Sequence, residues 1–288
     1  MQTTKKIGCD PELFLFDKVL DRIVPACGLV EGSKESPIML INGGMVQLDG
    51  TVLEFGTPPV DAEGTNFSSA LRQTLDIIRK QLFDKHGDRY ELRCGASAAY
   101  SPQDITQNHE GLLVGCSPQY IMMRAQAPVR GILQSVEKLS LNNVPIGGHI
   151  HFGFVDSMLS EKVQDYSAIR YISVLKRSEL HRYLSDVNCS SVRRRNDVMG
   201  FPEGTPTIRV KPYGIEFRNL SSYWLACHSV ADLFSDLHSA TVNACVGGRF
   251  DSHAAGQTSR EIRKNLNKIA KRVSMLDAKF QQTLPLAY

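Results

Sequence analysis

Four short segments concentrate side chains that bind cations or transfer protons. Gly8-Cys9-Asp10-Pro11-Glu12-Leu13-Phe14 sets two carboxylates two residues apart, a spacing that points both to one face of a strand. Two carboxylates that must both ionise repel each other unless a cation lies between them. The segment therefore reads either as a solvated strand face or as part of a metal site. Pro11 cannot donate a ladder hydrogen bond, which predicts a sheet edge or a bulge there. In Asp49-Gly50-Thr51-Val52-Leu53-Glu54-Phe55, Glu54 lies between two apolar residues, where a carboxylate needs a partner. Asp49 suits the first position of a tight turn as well as it suits a metal.

Gly147-Gly148-His149-Ile150-His151-Phe152-Gly153 puts two imidazoles on one strand face, from which they can converge on a metal. Its glycines permit close approach of backbone or ligand. Gly214-Ile215-Glu216-Phe217-Arg218 alternates, so Ile215 and Phe217 face a core while Glu216 and Arg218 face elsewhere. Arg209 and Lys211 repeat the pattern around Val210. With Arg193, Arg194 and Arg195, as many as six cations stand near two acidic groups. Guanidinium forks bind phosphate oxygens bidentately; a structural ion-pair lattice is the other reading.

The elements that must position these groups alternate irregularly. Strands are predicted over 13–16, 45–48 and 51–55, with Asp49-Gly50 as a turn. Phe67, Leu71, Leu75, Ile78 and Leu82 predict a helix over 66–85 that stops before Gly87. Residues 91–145 carry prolines and no clear period. A strand over 150–154 is followed by a helix over 160–184 with a cap at Ser160 and Glu161 in its first turn. Strands over 207–210 and 215–219 flank a Pro212-Tyr213-Gly214 turn, and helices over 223–244 and 259–283 close the chain. This mixture predicts an α+β fold rather than a doubly wound parallel sheet.

The 288 residues, 42% hydrophobic and 22% charged, suit one globular domain spanning 1–288. Its motifs occupy about 7–230 and its C-terminal helices about 231–288. A net charge of +3 gives no global footprint for nucleic acid or anionic membrane. Seven scattered cysteines without C-x-x-C pairs predict free thiols in a reducing compartment. No apolar signal region follows Met1, and no apolar run approaches about 20 residues. The expectation is a soluble, cytoplasmic protein. P-loop, Rossmann, nucleophile-elbow and H-E-x-x-H patterns are absent.

In order, GCDPELF, DGTVLEF, GGHIHFG and RVKPYGIEFRNLSSYW resemble motifs of the glutamine synthetase and glutamate–cysteine ligase superfamily. They are most similar to its phage-borne carboxylate–amine ligases, the phiEco32-like or type 2 amidoligases. The resemblance implies a curved antiparallel sheet with helices on its convex side and magnesium held around ATP on the concave side. It implies Glu12, Glu54, His149 and Glu216 as metal ligands, with Asp10, Asp49 and His151 as further candidates. Arg194, Arg195, Arg209, Lys211 and Arg218 are implied as phosphate-binding cations, and His151 as a nucleotide contact. Catalysis would fall to Glu54, Glu216, Arg209 and Arg218. The pattern departs at Gly115-Cys116-Ser117-Pro118-Gln119, where related sequences often carry an acidic residue in place of Ser117.

The implied activity is amide formation: ATP phosphorylates a carboxylate, and an amine displaces phosphate. Small-molecule or peptide carboxylates and amines are the expected substrates, a homo-oligomer is open, and nucleic-acid or membrane binding is not expected. The alternatives are a metal-dependent hydrolase using His149 and His151, or a ligase fold kept as a binding or virion-associated module.

Overall fold

The computed structural model describes residues 5–95, 97–101, 103–104, 143–154, 167, 208–218, 220–227, 229–246, 260–262, 264, 265, 267, 268 and 283–286. The first strands are β1 (Lys6–Asp17), β2 (Arg22–Val24), β3 (Ile38–Met39), β4 (Met45–Asp49), β5 (Val52–Gly56) and β6 (Val60–Asp61). Helix α1 (Asn66–His86) follows, then β7 (Tyr90–Gly95), β8 (Ser97–Ala99), β9 (Asn143–Pro145) and β10 (Gly148–Gly153). The C-terminal part contributes β11 (Ile208–Lys211), β12 (Gly214–Phe217), α2 (Ser229–Val246) and β13 (Thr283–Pro285). Among the described residues a large antiparallel sheet and the helices α1 and α2 make an α+β architecture, as the irregular alternation predicts. Among the described residues no helix is long and apolar enough to cross a membrane.

The main sheet runs β11-β12-β10-β1-β5-β4-β3, with β2, β6 and β7 also pairing with β1 and β13 with β7. β1 is thus the central strand, which corrects the expectation of an edge at Pro11. The N–H of Glu12 donates to the Gly147 carbonyl at 2.9 Å and the N–H of Cys9 to Thr57 Oγ1 at 3.1 Å. Since alternate donors point to opposite sides, the donor that Pro11 lacks would face β5. On that side the β6 pairing at Lys6 and Ile7 has ended, and the β5 pairing begins only at Glu12. The proline sits in that break, so no ladder bond is lost.

Residues directly opposed across antiparallel strands share a face, as do residues two apart. The register opposes Asp10 to His149, His151 to Glu216, Glu216 to Arg209, Glu12 to Glu54 and Glu54 to Gln47. All the described candidate residues therefore line one face. The other face presents Ile7, Cys9, Leu13, Leu53, Phe55, Ile150, Phe152, Ile215 and Phe217 to a single core cluster. The helices supply its second layer through Phe67, Leu71, Leu75 and Ile78 of α1 and Val230, Phe234 and Leu237 of α2. Burying each such side chain stabilises the fold by roughly 1.5–3 kcal/mol, and this drive fixes which face the charged residues take.

Helix α1 matches its predicted span, and Gly87 adopts a φ of 64° at its end, a conformation glycine reaches without steric cost. The helix predicted over 223–244 is instead a 3-10 turn over Ser222–Ala226 followed by α2. The end of the segment predicted helical over 259–283 meets β13, although 260–262 are helical. The expected helix over 160–184 lies almost wholly outside the described residues.

Candidate functional site

At one end of the polar face, β1, β4 and β5 bring Glu12, Asp49 and Glu54 together, with one oxygen of each within 4.8 Å of the others. β4 and β5 form a tight hairpin across Gly50-Thr51, whose Gly50 has a φ of 60°. Asp49 is therefore both the turn residue and a member of the trio. Glu12 Oε2 accepts the Gly147 N–H at 2.7 Å, and Lys34 Nζ lies 2.7 Å from Asp49 Oδ2. Glu54 is 9% exposed. Burial, together with the negative charge of Asp10, Glu12 and Asp49, pushes its carboxyl up to about 9 despite Lys34. Without a further cation it keeps its proton at neutral pH.

In the middle, His151 Nε2 lies 2.8 Å and His149 Nδ1 3.4 Å from Asp10 Oδ1. Burial alone would raise the Asp10 carboxyl, but the charge of His151 and contacts from both imidazoles hold it well below the usual carboxylate range. Burial works against the charged form of His151 as well; the Asp10 carboxylate outweighs it and raises the imidazole. His151 Nδ1 hydrogen-bonds to the Tyr213 hydroxyl. His151 thus stands between the Asp10 carboxylate, an ion-pair contact, and a hydrogen-bonded hydroxyl.

At the other end, Glu216 is 1% exposed and surrounded by cations. Arg209 Nη1 and Lys211 Nζ lie 3.2 and 3.0 Å from Oε2, and Arg218 Nε lies 3.1 Å from Oε1. Arg218 is itself 4% exposed. Its Nη1 and the Nη2 of Arg209 are buried without a hydrogen-bond partner among the described residues. Buried donors left unpaired are costly, so these two await an acceptor.

Between β1 and β10, Gly148 allows the strand to lie on the turn that follows β12. Its N–H donates to Leu220 O at 2.7 Å, and its carbonyl accepts Trp224 Nε1–H at 3.1 Å. A Cβ there would lie 2.4 Å from the Ser221 carbonyl oxygen. This contact explains the second glycine of the His149 motif and ties the imidazole to the buried Trp224.

Glu12, Glu54, His149 and Glu216, the four implied metal ligands, share one sheet face and fall into two neighbouring trios. Glu12 and Glu54 join Asp49, while His149 and Glu216 join Asp10. The cause is register. β5 meets β1 at Glu12, and β10 meets it from the other side at Asp10. His151 stands outside both trios, with its Nε2 beside His149 at the Asp10 carboxylate. Arg193, Arg194, Arg195 and Ser117 lie outside the described residues. Lys34 and Tyr213 escaped the sequence reading; Lys34 sits in a loop with no pattern, whereas Tyr213 was visible only as the middle of a turn.

No family model and no curated protein matches this chain.

Proposed function

We propose that this protein is a magnesium- and ATP-dependent ligase that joins a carboxylate to an amine. In this reading the antiparallel sheet is a curved sheet of the glutamine synthetase type, with α1 and α2 on its convex side. The observation that carries the proposal is the pairing, on one sheet face, of a carboxylate trio with a cation cluster that has buried unpaired N–H donors. Phosphoryl transfer requires that combination: oxygen ligands for a hard divalent ion, and fixed positive charge for phosphate oxygens.

Glu12, Asp49 and Glu54 fit magnesium, because all three offer oxygen and their mutual repulsion is relieved by a cation. Bound there, magnesium would neutralise phosphate oxygens and draw off the Glu54 proton. Arg209 and Arg218 would donate their free N–H groups to the transferring phosphoryl group and to the acyl phosphate. Glu216 positions both guanidiniums and Lys211. Its own oxygens are committed to those cations, so its part is orientation rather than metal ligation. His149 lies between the two halves, 3.8 Å from Glu216 Oε1, where it helps hold Asp10 and Glu216 in register.

The test is calorimetric titration of ATP with and without magnesium, followed by ADP release across panels of carboxylates and amines. The expected result is ATP binding that requires magnesium. Absence of magnesium-dependent ATP binding to the folded chain sinks the proposal.

A further inference from the structure

Beside the Asp10 end of the polar face lies a cavity of about 510 Å³, within the range of small-molecule sites. Gly8 offers bare backbone to it, Gly56 lies under the Met45 side chain, and Met39 and Pro59 also line it. Methionines line adaptable apolar surfaces. Its polar side chains are Asp10, His151 and Tyr213 together with Thr57 and Lys6, whose ammonium is paired with Asp61 at 3.0 Å. Both imidazoles lie nearest Oδ1 of Asp10, and that buried oxygen has no hydrogen-bond partner among the described residues. The charge at this end contrasts with the cluster around Glu216. A substrate carboxylate is drawn to Arg209, Lys211 and Arg218, and a substrate ammonium to the Asp10 carboxylate.

From this we infer that the amine substrate carries an apolar body, of the size of a large aliphatic or aromatic side chain, which fills this cavity while its amino group meets Asp10. The inference rests on the ligase reading for the role of the amine. It goes beyond that reading in naming the amine's chemical class and its seat.

Two variants probe the cavity without threatening the fold. A Cβ at Gly8 meets nothing closer than Thr57 Oγ1 at 3.5 Å, so Gly8→Leu adds a side chain to the cavity without a clash at Cβ. Met39 is 67% exposed, so Met39→Ser removes a wall at little cost to stability. The experiment is calorimetric titration of the full chain, without nucleotide, with phenethylamine, methionine amide, methylamine and 3-phenylpropionate. Phenethylamine and methionine amide are expected to bind at least tenfold tighter than methylamine and than 3-phenylpropionate. Gly8→Leu should weaken them at least tenfold and Met39→Ser two- to threefold, with melting temperatures near that of the parent.

Equal affinity for methylamine and phenethylamine overturns the apolar seat, and equal affinity for 3-phenylpropionate overturns the amine assignment. Displacement of phenethylamine by ATP alone gives the cavity to the nucleotide and also overturns the inference. ATP is titrated separately with magnesium. ATP binding without amine selectivity removes only this inference, whereas failure of ATP to bind removes the ligase reading on its own.

Discussion

At the β1–β4–β5 end of the polar face, the carboxylates of Glu12, Asp49 and Glu54 meet Lys34; at the β10–β12 end, Arg209, Lys211 and Arg218 meet the Glu216 carboxylate. The first group is held together against its own repulsion, and Glu54 responds by keeping a proton. The second is internally compensated as far as one anion allows, and its surplus charge ends in unpaired N–H donors. One half therefore lacks a cation and the other lacks an anion. In the proposed ligase a magnesium–phosphate ligand would supply both at once.

The sharpest way to break the comparison is to make the same change in each half. Glu216→Gln removes the anion that holds three cations in a buried site, and leaving such charge uncompensated costs about 3–5 kcal/mol. Urea denaturation should show that loss, and ADP release should fall by at least about two orders of magnitude. Glu54→Gln is expected to act with the opposite sign on stability. The fold no longer has to keep a carboxyl protonated at neutral pH, so the metal-free protein gains about 1–3 kcal/mol at pH 7. The same variant should lose most of the stabilisation that magnesium and ATP give the parent. Losses of equal sign in both variants would collapse the distinction between the halves.

A subtler effect lies in the pH dependence. Glu54 ionises near its ordinary 4.5 in the unfolded chain but only at about 9 in the fold. The folded state thus binds the extra proton across that window, and stability falls as pH rises. Between pH 6.5 and 9 the metal-free parent should lose stability more steeply than Glu54→Gln or the magnesium-saturated parent, in which only the raised His151 imidazole still contributes a fall. A reference outside both halves is His238 on α2, buried against the Gly153 carbonyl at 2.9 Å and lowered by that burial to about 4. Below its ordinary 6.5 the unfolded chain takes up a proton that the fold refuses. Acid should therefore destabilise Glu54→Gln below pH 6.5, whereas in the parent the proton held by Glu54 opposes that loss down to about 4.5, and chemical denaturation of both proteins from pH 4 to 9 shows the difference.

Much of the polar face was legible because strand alternation is a strict code. Ile215 and Phe217 against Glu216 and Arg218 read directly as a core side and a charged side, and the structure places them so. The helix of 66–86 was equally plain from its apolar spacing. What could not be read was pairing between distant segments. Nothing in the motifs says that β5 meets β1 at Glu12 while β10 meets it at Asp10, and that offset sets which acids stand together in each trio. The strand predicted over 13–16 extends from Lys6 because hydrogen bonding to neighbours on both sides overrides the poor strand propensity of Asp10, Pro11 and Glu12. The break before α2 hides in an apolar run whose buried Tyr223, Trp224 and Leu225 suit a 3-10 turn as well as a helix.

The central position of β1 also sets the order in which a nascent chain can assemble this face. Its acid side is complete once residue 54 has left the ribosome. The link from Glu12 to Gly147 spans 135 residues, and the cations arrive later still, at Arg209 to Arg218. Closure entropy grows slowly with length, by about 0.6 kcal/mol per doubling, so the delay is one of synthesis more than of thermodynamics. Throughout it, one flank of β1 is an open template beside mutually repelling acids. That repulsion discourages two unfinished chains from zipping together there until β10 arrives to cover it.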